Sequence, residues 1–109
     1  MNIIYKILKL TYNYFYPPIK RKAIPKRIKE TVWIKYNGQH FNGLCYCCGK
    51  HIDKLNYHNA HVISHAHHGT ISVENLRPTC MSCNLSMGKK NLYQFIKDNK
   101  LKGPGSQFI

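Results

Sequence analysis

The stretch from Ala60 to Gly69, AHVISHAHHG, holds four of the seven histidines in the chain. Imidazole can ligate a metal ion, act as a general base near neutral pH or line a polar loop, so three chemistries are open. Cysteines flank this stretch on both sides, and asparagines follow it. The chemistry therefore has to be inferred from the spacing of all these residues together.

Four cysteines form two CxxC pairs around the histidine-rich stretch: Cys45, Cys48, Cys80 and Cys83. Thiolates at this spacing can face one ion because a tight turn folds the backbone around it, so two such pairs predict a tetrahedral zinc site. Gly49 favours the first turn, which leaves Cys47 as the odd cysteine. We expect this zinc to be structural, because four sulfur ligands leave no open coordination position. Reduced, metal-bound cysteines also favour an intracellular protein, in cytoplasm or nucleus and of cellular or viral origin.

Three further segments stand in a recognisable order: AHVIS at 60–64, ENLRPTC at 74–80 and CNLSMGKKN at 83–91. With the cysteine pairs, they resemble the HNH endonucleases, the ββα-metal or His-Me finger group, best from about 45 to 91. The resemblance implies that His61 is the general base, that Asn75 braces it, and that Asn84 is a ligand of a catalytic divalent ion.

The same residues suit phosphodiester hydrolysis on chemical grounds. The attacking water needs a base, and a neutral imidazole, with an ordinary pKa of about 6.5, accepts a proton at cellular pH. A divalent cation supplies electrostatic stabilisation, and the carbonyl oxygen of asparagine is a hard ligand suited to Mg²⁺ or Mn²⁺. We therefore predict a metal-dependent endonuclease that hydrolyses DNA.

Ala60 departs from the family pattern, which usually has Asp, Glu or His as a metal ligand just before the base. Three replacements are open: His58 on the same predicted strand, oxygens of the substrate phosphate, or a histidine of the following loop. The loop histidines, for which solvent exposure or phosphate contact is the usual role, are His65, His67 and His68. If none of these supplies the ligand, the alternative function is a catalytically inactive, zinc-stabilised nucleic-acid-binding module.

The charge of the chain predicts a polyanionic partner. Its 17 Lys and Arg against 4 Asp and Glu give a net charge of +13. This charge favours nucleic acid as the partner, with DNA expected more than RNA, and an anionic membrane surface is the second possibility. The residues expected to contact nucleic acid are Lys20, Arg21, Lys22, Lys26, Arg27, Arg77, Lys89 and Lys90. The stretch 20–29 can equally be a solvated linker, and Arg77 a structural contact beside Pro78.

Apolar spacing predicts the helices that surround the site. One helical face near the N-terminus consists of Ile3, Ile4, Ile7, Leu8 and Thr11. We expect this amphipathic helix to pack on the domain or on a partner, with docking to a membrane surface as the lesser alternative. It is too short and too charged to span a bilayer. A second helix, from 28 to 36, should bury Trp33 and end at Asn37-Gly38, while His40 and His51 should lie at the surface.

These expectations combine into an α+β fold with three parts. Residues 1–27 form an N-terminal amphipathic and basic extension, residues 28–101 a small zinc-stabilised HNH nuclease-like domain, and residues 102–109 a flexible tail with too little apolar content to pack. Within the domain we predict a β-hairpin from about Tyr57 to Pro78 and a helix near Met81 to Gly88.

Overall fold

The computed structural model of the protein describes residues 3–15 and 23–109. The predicted nucleic-acid contacts Lys20, Arg21 and Lys22 lie outside these described residues. The helices and strands are α1 (Ile3–Phe15), α2 (Lys26–Asn37), β1 (Asn42–Leu44), β2 (His51–Asp53), β3 (His58–His61), β4 (Leu76–Thr79), α3 (Met81–Met87) and α4 (Leu92–Asp98). The fold class is α+β, as predicted.

The strands form two antiparallel hairpins. β1 pairs with β2, and β3 pairs with β4 in a register that sets Ala60 opposite Arg77 and His61 opposite Leu76. α3 follows β4 directly. This order of hairpin and helix confirms the arrangement expected between 57 and 88, and it brings the ends of β3 and α3 together.

Helix α2 packs its buried face against this unit. Trp33 is 1% exposed, donates its indole N–H to the carbonyl of His40 at 2.8 Å, and places its ring 4.8 Å from that of Tyr57. The helix ends where Gly38 adopts a φ of 65°, and the Gly38 N–H donates to Ile34. The predicted helix, its stop and the burial of Trp33 are confirmed.

Helix α4 closes the core from the other side. Its N-terminus is capped by Asn91, whose Oδ1 accepts hydrogen bonds from the N–H groups of Tyr93 and Gln94. Leu92 and Ile96 are fully buried, and the Leu92 N–H donates to the carbonyl of Val62 at 3.1 Å. The segment that follows β3 is therefore tied to α4 through its backbone.

The prediction of a flexible tail at 102–109 was wrong. Residues Pro104–Phe108 form a short 3₁₀ turn, and the N–H groups of Gly103 and Gly105 donate to the carbonyls of Cys47 and Tyr46, each at 2.9 Å. Both glycines are buried. The tail is held by backbone hydrogen bonds and close approach, so its low apolar content was a poor guide.

The N-terminal helix α1 is present as predicted, but its apolar face is exposed. Ile3, Ile7 and Leu8 are each more than half exposed, at 71%, 58% and 62%. Packing of this face against the described part of the chain, one of the two outcomes expected for it, is therefore not observed. No helix among the described residues has the length and apolar character needed to cross a membrane.

Candidate active site

The two CxxC pairs come together at one point. The turn between β1 and β2 carries the first pair, with Gly49 at a φ of 79°, and the start of α3 carries the second. The four sulfur atoms lie within 4.8 Å of one another and belong to Cys45, Cys48, Cys80 and Cys83. Cys47 is buried but lies outside this cluster. The four cysteines that were predicted to share one metal ion are the four that cluster.

The electrostatics of this cluster suit a cation. Burial raises the pKa of the Cys83 and Cys48 thiols, whereas a hydrogen bond with Cys47 lowers the pKa of Cys45 to about 4. Thiolates this close repel one another, and a divalent ion between them supplies the compensating charge. The four cysteines therefore fit a structural metal. The start of α3, which carries the second cysteine pair, also leads into a neighbouring pocket.

A pocket of about 340 Å³ opens between β3 and α3. Its lining residues are Ile24, Lys29, Tyr57, His58, Asn59, His61 and Asn84. The predicted base His61 and the predicted ligands His58 and Asn84 thus share one pocket. Asn84 directly follows Cys83 in the chain, so the cysteine cluster fixes the position of this side chain as well as the fold.

His58 and Asn84 are joined across this pocket by a hydrogen bond of 3.0 Å between the Nδ1 of His58 and the Nδ2 of Asn84. The amide nitrogen is the donor, so the ring nitrogen accepts. This pairing leaves the Oδ1 of Asn84 with its lone pairs for another ligand. The Nε2 of the neutral His58 ring then carries the proton, so His58 would ligate a cation through Nδ1, in exchange for its hydrogen bond with Asn84. An amide oxygen and an unprotonated imidazole nitrogen are both ligand types found on divalent cations.

Comparison with protein families decides what this arrangement is. A family model described as HNH endonuclease matches residues 45–100, about half of the chain. The chain belongs to the HNH endonuclease family. The matched segment holds both cysteine pairs, the β3–β4 hairpin, α3 and α4. Comparison with curated proteins and with solved structures gave no significant match.

Family membership confirms the resemblance inferred from the motifs at 45–91, and it implies a nucleic-acid substrate. Within this HNH domain, Ala60 is fully buried in the core and does not line the pocket. Successive side chains of a strand point to opposite faces, so Asn59 and His61 share a face that Ala60 does not. The position that departs from the family pattern therefore contributes to packing here.

Asn59 is a residue of the HNH pocket that sequence reasoning missed. Its Oδ1 is buried and has no hydrogen-bond partner among the described residues. An unpaired buried oxygen is costly unless something binds it, and carbonyl oxygen is a ligand for Mg²⁺ or Mn²⁺. The signal that could have found it was the two-residue period counted back from His61.

Asn75 acts on the backbone that follows the base. It is 8% exposed; its Oδ1 accepts from the Ile63 N–H at 2.9 Å, and its Nδ2 donates to the carbonyls of Ile63 and Thr70. The side chain thus fixes the exit of β3 and the start of the histidine-rich loop. Its role as the brace of His61 stays a prediction.

The loop histidines lie away from the pocket that holds His61. Residues His65–His67 form a 3₁₀ turn, and the left-handed φ of 66° at His68 ends it. His67 hydrogen bonds through Nδ1 to Ser64 and lines a different cavity. Of the replacements considered for Ala60, the geometry favours His58 over the loop. His40 and His51 are exposed, as predicted.

Arg77 is held in internal contacts. Its Nη1 donates to the carbonyls of Glu74 and Leu76, both at 2.9 Å, and its guanidinium lies over the rings of Tyr36 and Tyr46 at 5.2 and 5.6 Å. These contacts correspond to the structural alternative for this residue rather than to a phosphate contact. Lys26, Arg27, Lys89 and Lys90 are exposed.

Proposed function

We propose that this HNH domain is a metal-dependent endonuclease that hydrolyses phosphodiester bonds in DNA, with His61 as its general base. The observation that carries the proposal is the pocket between β3 and α3, in which His61 stands beside Asn84 and His58. A proton acceptor and metal-ligand atoms at the same opening are the groups that single-ion phosphodiester hydrolysis uses.

In this proposal each residue of the pocket has its own chemical role. His61 takes a proton from the attacking water, and Asn75 restrains the backbone just beyond it. Asn84, His58 and Asn59 hold Mg²⁺ or Mn²⁺, which supplies electrostatic stabilisation for the phosphate and the leaving oxygen. The ammonium group of Lys29, at the rim, attracts the scissile phosphate.

The cysteine cluster has a structural part in the same proposal. We assign zinc to it, because four cysteine thiolates that can reach one ion are its characteristic ligands and leave no position open for substrate. Zinc there joins the β1–β2 turn to the start of α3, which carries Asn84. Metal binding energy is thereby coupled to the assembly of the catalytic pocket.

The test is a plasmid-nicking assay with Mg²⁺ or Mn²⁺ and with a chelator as blank. Substituting His61→Ala should slow cleavage by about 10²–10⁴, the usual cost of losing a general base, while DNA affinity and zinc content stay near wild type. His40→Ala, an exposed histidine outside the pocket, is the matched control and should cut normally. Cleavage by His61→Ala at the wild-type rate would refute the assignment of this base.

The second candidate is a zinc-stabilised module that binds nucleic acid without cutting it. Ala60 favours this candidate, because it removes the ligand that the family pattern has just before the base. The same assay separates the two. Tight DNA binding by the wild type with no cleavage under any divalent ion would select the inactive module.

A further inference from the structure

A second cavity, of about 750 Å³, has lining residues that follow those of the catalytic pocket in two segments of the sequence. Its lining residues are Ile63, Ser64, His67, Met87, Lys89, Lys90 and Asn91. Ile63 comes two residues after His61, and Met87 comes three residues after Asn84 on α3. The two openings are therefore lined by residues of the same two segments, β3 with the residues that follow it and helix α3.

The wall of this cavity formed by the histidine-rich loop is rigid. Ser64 is 5% exposed, and its Oγ hydrogen bonds to the Nδ1 of His67 at 2.8 Å, which fixes the exposed imidazole ring. The loop closes on itself through the Gly69 N–H, which donates to the Ser64 carbonyl at 2.9 Å. A Cβ at Gly69 would collide with the carbonyl oxygen of Ile63, so the loop lies directly on the end of β3.

The chemistry of the lining matches a nucleotide. Ile63, which is 50% exposed, offers aliphatic surface beside the buried Met87, and the ring of His67 offers an aromatic face on which a base can stack. The exposed ammonium groups of Lys89 and Lys90 complement a phosphate, and none of the lining residues is acidic. In an intact duplex the faces of each base are covered by its neighbours, so this lining is useful only to an unstacked base.

We propose that this cavity binds one unpaired nucleotide next to the scissile phosphate, and that the preferred substrate is DNA containing such a nucleotide. Cleavage of the adjacent phosphate rests on the proposed nuclease function, but occupancy of the cavity does not. It can be measured by binding alone, with the zinc-loaded full-length protein and no Mg²⁺ or Mn²⁺ added.

The probe is a pair of fluorescently labelled DNA duplexes that differ only in one unpaired adenine, with affinity measured by anisotropy. The bulged duplex should bind about tenfold more tightly, the size expected for one base stacked on a side chain. His67→Ala and Ile63→Ser should each remove most of this preference. Leu85→Ser, at an exposed apolar residue of α3 outside the cavity, should keep it.

The lysine pair has its own control. Lys89→Ala with Lys90→Ala should weaken binding to both duplexes, more than Lys97→Ala with Lys100→Ala, which removes equal charge outside the cavity. Zinc content confirms that each variant is folded.

Equal affinity of the wild type for the two duplexes would overturn the inference, and plasmid cleavage would then leave the nuclease proposal intact. Loss of the preference in Leu85→Ser as large as in Ile63→Ser would also overturn it. A strong preference for the bulge in a protein that never cuts would support the cavity and refute the nuclease.

Discussion

His61 and Asn84 line one pocket, and because we propose different roles for them, their substitutions should affect cleavage differently. Asn84→Ala should lose nicking activity through weaker metal binding, and raising the Mn²⁺ concentration should partly restore it. His61→Ala should not recover, because excess metal does not replace a proton acceptor. His58→Ala should behave like Asn84→Ala, since the two side chains are hydrogen bonded across the pocket.

The measurement is the nicking rate of each variant over a Mn²⁺ titration. His65→Ala is the control for His58→Ala, because it removes an imidazole from the loop and not from the pocket. A deficit in His58→Ala that Mn²⁺ leaves unchanged would exclude this residue as a ligand.

Asn59 gives a separate prediction at the same scale. Asn59→Leu keeps the volume of the side chain but removes its buried Oδ1, so Mn²⁺ affinity should fall by about tenfold or more. Asn59→Asp should retain or strengthen binding, because a carboxylate is a better ligand for a hard cation. Calorimetry or Mn²⁺ paramagnetic resonance measures this without any cleavage assay. Equal Mn²⁺ affinity in wild type and Asn59→Leu would remove Asn59 from the ligand set.

Single residues were predictable from the sequence where their spacing along the chain carried the information. The cysteine pairs have a spacing that one ion imposes, and His61 and Asn84 stand in recognisable motifs. Asn59 and Arg77 differ, because their surroundings depend on which face of a strand is buried. The tyrosine rings beneath Arg77 come from α2 and from the β1–β2 turn, which no local pattern connects to β4.

Among the structural elements, the C-terminal tail at 102–109 gives the most specific prediction, because its packing against the domain was not expected from the sequence. At Gly103 a Cβ would lie 2.5 Å from the carbonyl oxygen of Cys47, next to a member of the cysteine cluster. Gly103→Ala should therefore destabilise the folded protein by about 1–3 kcal/mol, the usual cost of overpacking, and should make zinc easier to remove. Thermal unfolding and the rate of zinc transfer to a chelator measure the two effects.

Gln107→Ala, an exposed position in the same tail, is the control and should melt like wild type. A Gly103→Ala variant as stable as that control would indicate that the tail is loose in solution. Helix α2 was predictable because its periodicity and stop signal are local, whereas the β3–β4 hairpin and α3 were predicted from the resemblance to the HNH family. The tail was not, because glycine N–H groups that reach a distant turn leave no trace in composition.

For the whole molecule, the net charge of +13 predicts steep salt dependence of DNA binding, since each phosphate contact releases counterions. Basic side chains near the catalytic pocket should contribute most to this salt dependence. Lys26, Arg27 and Lys29 are exposed at the start of α2, and Lys29 lines that pocket. Changing all three to Ala should flatten the slope of log affinity against log salt by up to about 2.7, at roughly 0.9 for each lost contact.

The matched control removes the same charge from another part of the domain, through Lys97, Lys100 and Lys102, which line neither the catalytic pocket nor the cavity beside it. Both triple variants have the same net charge, so a purely nonspecific attraction would weaken equally in both. A larger change of slope for the α2 variant, read from anisotropy titrations at several salt concentrations, would place the DNA path across the catalytic pocket. Equal changes of slope would instead mean that these three side chains form a solvated face of α2, and that the DNA is held elsewhere on the molecule.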